Sequence, residues 1–379
     1  MMSTDTLSVP AELHRNNRVA VALMLAMATF AASSITSLLA SRWATEQSSL
    51  AVSANLSSEL EYRKGKLTDY LGDVESNLSN IASSRIAASI TLEFVDALKA
   101  DGDEGYVNMR RAYITENPNP PGRKHALIYA NDSSQYSRVH GRYHDWLLSI
   151  STAHDYYDLF ISDADGNIVY SVFKEDDFGT SLTTGKYRNT ALAHSFIRIR
   201  DSLIPGEATF SDFSAYAPSD NLPAAFIGVP IMRDGQFAGS FIAQLKQPRL
   251  NKLIKADRTG VGKMQVYLAG EDGYMRAGSG MASDEVLEIS VDHKAVEAAL
   301  SNRSGVLDTT GINGRDTVSA YAPLRWKGVT WALIVEIDQN TVEIPVKALR
   351  TILAFAALLC TVLAFGVGWL LADRPDEAR

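Results

Sequence analysis

Four charged residues follow an apolar segment directly in the middle of this 379-residue chain. The segment "VYSVF" ends at Phe173, and Lys174, Glu175, Asp176 and Asp177 come next. If a strand leaves its sheet at Phe173, these residues lie in a loop over the sheet face. Lys174 then offers a cation to a carboxylate, and Asp177 offers an acceptor to an amine or a hydroxyl. The alternative is a solvated turn in which Lys174 and Asp177 pair, and such a pair stabilises little.

Aromatic residues of the surrounding predicted strands and loops can supply the apolar wall that a small-molecule pocket needs. These residues are Tyr157, Tyr170, Phe173, Tyr187, Tyr216 and Phe226. Tyr143, on a separate predicted helix, can reach the same pocket from above. Asp212 lies between Phe210 and Phe213 in a strand-like stretch and is a second candidate acceptor. Because alternate strand residues face opposite sides of a sheet, Asp212 points either to solvent or inward to a partner.

The remaining motifs do not indicate catalysis or a metal site. His140 and His144 are four residues apart on a predicted helix, but no third metal ligand follows at a recognisable spacing, which favours packed or hydrogen-bonded histidines. "DADGN" resembles the start of a calcium loop, but Ile168 and Lys174 occupy the positions that need glycine and glutamate, so we predict a hairpin turn. The sequence contains no nucleophile–base, phosphate-loop or zinc-protease motif. We therefore expect no enzyme activity, no metal and no cofactor.

Two uncharged segments indicate a membrane protein. Residues 19–41 and 351–372 are each long enough to cross a hydrocarbon core about 30 Å thick as a helix. A cleaved signal peptide is the alternative for the first segment, although its apolar stretch is long for one. The size of the central region, and not the weak charge bias of the tails, indicates that it is translocated. We expect a two-pass protein of the inner (cytoplasmic) membrane with its central domain in the periplasm.

Charge and cysteine content exclude further classes of protein. The formal net charge of -8 and the lack of a basic patch with interleaved aromatic residues argue against nucleic-acid binding. The single cysteine, Cys360, excludes an intramolecular disulfide. It lies in the second apolar segment, where we expect a buried and unreactive thiol.

The sequence after the first apolar segment keeps a helical pattern. Apolar residues recur at intervals of three and four, and no proline occurs between Pro10 and Pro118, so we expect one helix that extends to about Leu98. Its apolar stripe pairs with a second copy of the chain or packs on the chain's own sheet, and both interpretations stay open. The stripe consists of Leu60, Leu67, Leu71, Val74, Leu78 and Ile81.

Two series of predicted strands follow, and the second repeats the order of the first. Each series begins with a hairpin around an Asp-Gly turn and continues with three more strands. "AAFIGVPIMRDGQFAGSFIAQL" and "VSAYAPLRWKGVTWALIVEI" match in order and alternation. The repeat predicts an α+β fold with two tandem modules, each a five-stranded antiparallel sheet, on a long N-terminal helix. Helical segments such as residues 135–150 and 293–300 fill the connections.

Four segments are the most specific parts of the sequence: "YITENPNPPG", "SRVHGRYHDWL", "YYDLFISDADGNIVYSVFKEDDFGTSL" and "FSDFSAYAPSDNLPAAFIGVPI". They resemble the extracytoplasmic double Cache sensor regions of bacterial transmembrane receptors, which include chemoreceptors, sensor kinases and nucleotide cyclases. The resemblance covers about Trp43 to Ile344 and implies PAS-like (Cache) modules, one membrane-distal and one membrane-proximal, with a ligand pocket in the distal module. The family places an acidic ligand contact in the strand that holds Asp212, which favours its inward orientation.

The sequence departs from this family in two respects. The amino-acid-binding branch carries an Arg-x-Trp-Tyr motif, whereas the corresponding region here is "KEDDFGTSLTTGKYRN". The resemblance therefore does not imply an α-amino acid ligand. The family's receptors also continue past the last span into an output domain, whereas this sequence stops at Arg379. We expect either a fragment or a missing cytoplasmic output domain or partner.

These inferences predict a transmembrane receptor region that binds a small polar ligand, a carboxylate or an amine, in the distal module and signals through its helices as a homodimer. The alternative function is a ligand-free periplasmic module for dimerisation or for binding a partner protein. The expected boundaries are 1–18 for a cytoplasmic tail, 19–41 for the first transmembrane helix, 42–250 for the stalk helix and distal module, 251–344 for the proximal module, 351–372 for the second transmembrane helix and 373–379 for a cytoplasmic tail.

Overall fold

The structure, a computed structural model, describes residues 11–202, 204–255, 264–278 and 285–371. Most of the predicted tails, residues 1–10 and 373–379, therefore lies outside the described residues. The α-helices are α1 (Ala11–Ala82), α2 (Arg85–Ala100), α3 (Gly105–Arg110), α4 (Gln135–Ala153), α5 (Ala191–Ser202), α6 (Gln247–Ile254), α7 (Lys294–Leu300) and α8 (Gln339–Leu371). The strands are β1 (Tyr156–Asp163), β2 (Ile168–Ser171), β3 (Thr209–Tyr216), β4 (Leu222–Arg233), β5 (Gln236–Leu245), β6 (Gln265–Ala269), β7 (Met275–Gly278), β8 (Gly305–Thr310), β9 (Asp316–Trp326) and β10 (Val329–Asp338).

The chain divides into two compact units. The first combines the residues up to Asn55 with those from Ile337 onward, and the second extends from Leu56 to Glu336. The predicted boundary between a distal and a proximal module at residue 250 lies inside the second unit and stays a prediction.

In the first unit, α1 and α8 lie side by side in opposite directions. Arg350 Nε donates to Ser41 Oγ at 2.6 Å, and Gly368 lies against Ala22. A Cβ atom at position 368 would lie only 2.8 Å from the Cα of Ala22. The lack of a side chain at Gly368 therefore lets the two backbones touch, as small residues do between membrane helices.

Both helices of this unit are long and apolar enough to cross a membrane. Residues 19–41 and 351–371 are helical throughout, in agreement with the predicted spans. The prediction that Cys360 is buried is wrong, because its thiol is exposed on α8. The α1–α8 contact covers one side of α8, and Cys360 lies outside that contact.

The single helix predicted to reach Leu98 is also wrong. α1 ends at Ala82, and α2 begins at Arg85 after a short turn. The Ser84 hydroxyl oxygen accepts a hydrogen bond from the backbone N–H of Ala87 at 3.3 Å and so caps the start of α2. Serine at this position starts a new helix because it satisfies a backbone donor that has no partner within the helix.

The apolar stripe of α1 packs on the rest of its own chain. Leu67, Leu71 and Leu78 are fully buried in the second unit. Polar contacts hold the same part of α1: Ser79 Oγ donates to the Gly206 carbonyl at 2.7 Å. This confirms the interpretation that the stripe packs on the chain's own modules. The same leucines are therefore not free to pair with a second copy.

The second unit contains two five-stranded antiparallel sheets, as predicted. Their strand orders, β2-β1-β5-β4-β3 and β7-β6-β10-β9-β8, are identical strand for strand. We call the sheet β1–β5 with α2, α4 and α5 the first module, and the sheet β6–β10 with α7 the second module. Asp158 pairs with Gln244 in the first sheet, and Gln265 pairs with Glu336 between the corresponding strands of the second.

The "DADGN" segment forms the predicted hairpin turn between β1 and β2. Asp163 Oδ1 accepts hydrogen bonds from the backbone N–H groups of Asp165 at 3.0 Å and Asn167 at 2.8 Å. Gly166 has a φ of +89°, a conformation that glycine adopts without steric cost. The carboxylate of Asp163 is thus used to close the turn.

We expect Leu71→Ala to lower the free energy of unfolding by about 2 to 4 kcal/mol, because it removes a fully buried side chain from the interface between α1 and the modules. Leu222→Ala is the matched control, since Leu222 is 40% exposed, and its effect should stay within about 0.5 kcal/mol. Urea unfolding of the full chain in detergent micelles measures both values. Equal effects of the two substitutions would contradict the packing of α1 described above.

Candidate ligand-binding site

The loop after β2, which contains the charged residues 174–177, folds back onto the first module. Lys174 and Asp177 are both fully buried, so the alternative of a solvated turn does not apply to them. Lys174 has a φ of +57°, in the left-handed region that residues with a Cβ adopt at a cost. This backbone conformation belongs to a loop that directs the side chain inward.

Lys174 has main-chain and aromatic partners. Its Nζ donates to the carbonyls of Ser171 at 3.3 Å and Val172 at 3.1 Å. The same atom lies 5.8 Å from the ring centroid of Tyr113 and 5.4 Å from that of Tyr170. Among the residues that the structure describes, no carboxylate lies within salt-bridge distance of this ammonium. Cation–π contacts and carbonyl groups thus replace the ion pair that a buried lysine usually has.

Asp158 is the central acid that sequence reasoning missed. It is fully buried in β1, and its Oδ1 accepts from the backbone N–H groups of Leu159, Val172 and Phe173 at 2.6, 2.9 and 3.1 Å. These bonds fix the end of the hairpin directly before Lys174. The sequence feature that could have pointed to Asp158 is its position as an acid at the start of the otherwise apolar strand segment "DLFIS". The alternation of strand residues alone does not show that this acid is buried.

A second group of polar side chains connects this hairpin to the rest of the sheet. The Tyr157 hydroxyl donates to Glu175 Oε1 at 2.7 Å, and the Ser219 hydroxyl donates to Glu175 Oε2 at 2.6 Å. Gln244 Nε2 in turn donates to Ser219 at 3.3 Å. The Tyr216 hydroxyl, at the end of β3, donates to Asp177 Oδ2. We call Asp158, Lys174, Glu175, Asp177 and Gln244 the polar cluster.

Burial changes the titration of the polar cluster. Desolvation lowers the pKa of Lys174 to about 7, although the charge of Asp158 opposes this shift. Desolvation raises the pKa of Asp177 to about 7, against the hydrogen bond from Tyr216. The pKa of Asp158 is raised well above its usual range, first by burial and then by the charges of Asp177 and Glu175. Several groups of one site therefore change charge near neutral pH.

The polar cluster also has hydrogen-bonding capacity that the protein does not use. Within the described residues, Asp158 Oδ2, Asp177 Oδ1 and Gln244 Oε1 are buried and have no hydrogen-bond partner. Buried polar atoms are normally paired, with protein, water or ligand. The cluster thus combines the amine of Lys174 with three oxygen atoms that have no partner among the described residues.

Several of the aromatic side chains predicted for the pocket wall lie beside the polar cluster. Tyr157 stacks on Phe173 with ring centroids 5.2 Å apart, and Tyr216 meets Phe226 edge to face at 5.1 Å. Tyr170 contacts Lys174 as described above. The structure thus brings together Tyr157, Tyr170, Phe173, Lys174, Asp177, Tyr216 and Phe226, seven of the ten predicted site residues.

The two histidines of α4 are hydrogen-bonded and packed, which confirms the preferred interpretation. His140 Nδ1 contacts the Ile128 carbonyl at 2.7 Å, and His144 Nδ1 contacts the Tyr170 hydroxyl at 2.7 Å. Their rings stack at 4.5 Å. Burial lowers the pKa of His144 to about 3, so this ring is neutral in the interior. The structure shows no group of three metal-binding side chains among the described residues.

Tyr143, Tyr187 and Asp212 have other partners than the polar cluster. The Tyr143 hydroxyl donates to Glu93 Oε1 at 2.7 Å, between α4 and α2. Tyr187 is buried, and its hydroxyl accepts from Lys186 Nζ at 3.2 Å. The structure therefore does not bring these three residues into contact with the polar cluster.

Asp212 differs most from the prediction. It points inward, but its Oδ2 accepts from Arg276 Nε at 2.9 Å and its Oδ1 from Trp331 Nε1 at 2.8 Å, and both partners belong to the second module. The sequence placed Asp212 in the correct strand, but it could not show that a neighbouring module supplies the partners.

Comparison with known proteins identifies the family. The Cache domain model dCache_1 matches residues 19–346. The chain belongs to the double Cache family. Double Cache regions are sensory ligand-binding modules, so this chain contains an extracytoplasmic ligand-sensing region. The match covers both modules, the first apolar segment and only the start of α8.

Solved sensor domains are similar to this double Cache chain at low sequence identity. The ligand-binding domain of the Pseudomonas aeruginosa PAO1 amino acid chemoreceptor PctB, in complex with L-Arg, has 14% identity and a TM-score of 0.46, and the match covers 81% of this chain and 99% of that one. The sensory domain of the Campylobacter jejuni chemoreceptor Tlp3 has 10% identity, a TM-score of 0.49 and coverages of 80% and 99%. The sensor domain of the Vibrio cholerae histidine kinase DctB has 10% identity, a TM-score of 0.44 and coverages of 75% and 97%. No curated protein matches the chain.

Lys174→Met should remove a pH dependence of stability. The folded-state pKa of about 7 lies below the ordinary value of 10.5, so the unfolded chain holds the proton between these values and the native state gains stability as pH rises from about 7 to 10. The free energy of unfolding of the wild type should rise relative to the variant by about 3 to 4 kcal/mol over this range. Urea unfolding at several pH values measures the difference.

The control for this experiment is Lys99→Met, which removes an exposed lysine near the end of α2. Its stability curve should run parallel to that of the wild type between pH 7 and 10. If Lys174→Met also gives a parallel curve, Lys174 titrates as an ordinary solvated lysine and the description of the polar cluster is wrong.

Proposed function

We propose that the first module is the ligand-binding module and that its ligand is a small polar molecule held at the polar cluster. This proposal is carried by the burial of Asp158, Lys174 and Asp177. Within the described part of the chain, Lys174 has no ion pair, and Asp158 Oδ2 and Asp177 Oδ1 have no hydrogen-bond partner. Burying such groups is costly, and a ligand that completes their hydrogen bonds recovers part of the cost. Sites with shifted pKa values in an aromatic enclosure are typical of binding sites.

The ligand carries a carboxylate, an amine or both. A carboxylate would be bound by the ammonium of Lys174, and an amine would donate to the free oxygens of Asp158, Asp177 and Gln244. Amino acids are named as ligands of the chemoreceptor domain PctB. The region here lacks the Arg-x-Trp-Tyr motif of the amino-acid-binding branch, so we do not restrict the ligand to α-amino acids.

Membrane topology and signalling complete the proposal. The two apolar helices cross the cytoplasmic membrane, the region Leu56–Glu336 lies in the periplasm, and the receptor is a homodimer with a cytoplasmic output domain or partner. A ligand that prefers one of two arrangements of the loop after β2 would shift their populations, and a small helix displacement would carry the signal. The receptor has no catalytic activity.

One observation favours a second function. The side chain of Lys174 itself lies against the rings of Tyr113 and Tyr170 and fills that space. In this alternative the first module takes no small ligand, and it serves dimerisation or the binding of a periplasmic partner protein. Failure of every small molecule in the screen below, combined with capture of a specific protein or a stable dimer, would favour this function.

A thermal-shift screen of the full chain in lipid nanodiscs tests the proposed site. Carboxylates and amines are the two compound sets. Lys174→Met should weaken the binding of a carboxylate hit at least tenfold, and Asp177→Asn should do the same for an amine hit, because each loses a charge-assisted bond. Asp176→Asn is the control, since Asp176 is exposed in the same loop, and it should leave the affinity unchanged. A hit that neither Lys174→Met nor Asp177→Asn affects would place the site elsewhere.

Proton exchange on binding distinguishes the two ligand classes. A bound carboxylate favours the charged form of Lys174 and raises its pKa from about 7, so the complex takes up protons at pH 7.5. A bound amine favours the ionised form of Asp177 and lowers its pKa from about 7, so the complex releases protons at pH 6.5. Calorimetry in buffers of different ionisation enthalpy gives the sign and number of protons. Binding without proton exchange at either pH would contradict a site at Lys174 and Asp177.

A further inference from the structure

Strand β3 has one contact with the polar cluster and a second contact with the other module. Tyr216, at the end of the strand, donates to Asp177 in the polar cluster. Asp212, four residues earlier, is hydrogen-bonded to Arg276 and Trp331. A short stretch of one strand therefore connects the candidate site to the second module.

An irregularity in β3 directs the second contact. Ser211 pairs with Phe226 and Ser214 pairs with Ala224, so two residues of β3, Asp212 and Phe213, oppose a single residue of β4. This is a β-bulge, which changes the direction of side chains and is frequent near functional sites. In a regular strand Asp212 and Phe213 would face opposite sides of the sheet. Here both reach Trp331.

The second-module side of the contact is built from buried residues. Trp331 is 1% exposed, donates to Asp212 Oδ1 at 2.8 Å and stacks on Phe213 at 6.3 Å between ring centroids. Arg276 is 3% exposed and connects Asp212 with Asp272, since its Nε and Nη2 donate to the two carboxylates at 2.9 Å each. Burial raises the pKa of Asp212, although the charge of Arg276 opposes the shift.

We propose that β3 couples the polar cluster to the second module, with Asp212, Arg276 and Trp331 as positioning residues of the sensor. A change at the Tyr216–Asp177 hydrogen bond displaces the end of β3, and the bulge transmits the displacement to β7 and β10 through the bonds of Asp212. The strength and direction of buried, charge-assisted bonds suit such a connection. The ligand as the natural input rests on the proposed function, whereas the coupling itself is a property of the ligand-free chain.

Hydrogen exchange in the full chain, in detergent micelles and without ligand, tests this coupling. Tyr216→Phe removes only the hydroxyl that contacts Asp177, and the readout is the exchange rate of the β10 amides from Trp331 to Val335. We expect Tyr216→Phe to change these rates at least about threefold in the otherwise wild-type chain. In a chain that already carries Trp331→Phe or Asp212→Asn, Tyr216→Phe should change the logarithm of these exchange rates by less than half as much.

Two matched controls separate coupling from general loosening. Tyr187→Phe removes another buried tyrosine hydroxyl of the first module and should leave β10 exchange unchanged. Trp326→Phe removes an indole N–H that has no hydrogen-bond partner within the described residues, and it should preserve the response to Tyr216→Phe.

Two results would overturn the proposal. In the first, Tyr216→Phe leaves β10 exchange unchanged. In the second, the full response persists with Trp331→Phe and with Asp212→Asn, which would make the contact purely structural. Because no ligand is used, neither result depends on whether the proposed ligand site is correct.

Discussion

The burial of ionisable groups in the first module is the constraint that shapes its candidate site. An ammonium and two carboxylates lie within one small region, and water does not reach them. The protein accommodates them with backbone N–H groups on Asp158, carbonyl groups and aromatic rings around Lys174, and a tyrosine hydroxyl on Asp177. These contacts depend on the order of the strands, on the end of the β1–β2 hairpin and on the conformation of the loop after β2. Replacing such buried ionic groups by apolar ones is often neutral or stabilising, so the stability of the fold alone does not account for a polar interior here.

The second module has a comparable polar group at the corresponding position. Glu336 of β10 is buried opposite Gln265, where β5 and β1 of the first module have Gln244 and Asp158. The Tyr267 hydroxyl donates to Glu336 Oε2 at 3.1 Å and also contacts His293. Here a carboxylate is satisfied by its own module, whereas the carboxylates of the first module keep free oxygens. The two modules thus share a framework and differ in the use of its polar position.

Much of the fold follows from local sequence patterns. The uncharged segments correctly predict the apolar helices, and apolar residues at every third or fourth position correctly predict the stripe of α1. The repeated strands with their Asp-Gly turns correctly predict the two five-stranded sheets. The helix break before Arg85 was not predicted, because Ser83 and Ser84 do not stand out in a segment without proline. Seven of the predicted positions lie together because they belong to one hairpin and its neighbouring strands, and their role in binding stays a prediction. Asp158 and the partners of Asp212 could not be predicted, since burial of an acid and contacts between modules depend on tertiary packing.

The contact between Asp212 and the second module places the partners of this acid outside its own sheet. Alternation offered Asp212 two orientations, toward solvent or inward to a partner, and the inward one is observed. The bulge turns consecutive residues toward an adjoining sheet, which the alternation pattern does not show. A family resemblance that assigns a role to a strand position is thus insufficient where the strand is irregular.

The left-handed backbone of Lys174 has a consequence for how the loop after β2 moves. For a residue with a Cβ this conformation costs about 1 to 2 kcal/mol relative to an extended or right-handed one. Rotation of one residue out of this region would carry the ammonium away from the rings of Tyr113 and Tyr170 and would release that torsional energy. The observed loop conformation is therefore less favoured than its contacts alone suggest, by about that torsional cost.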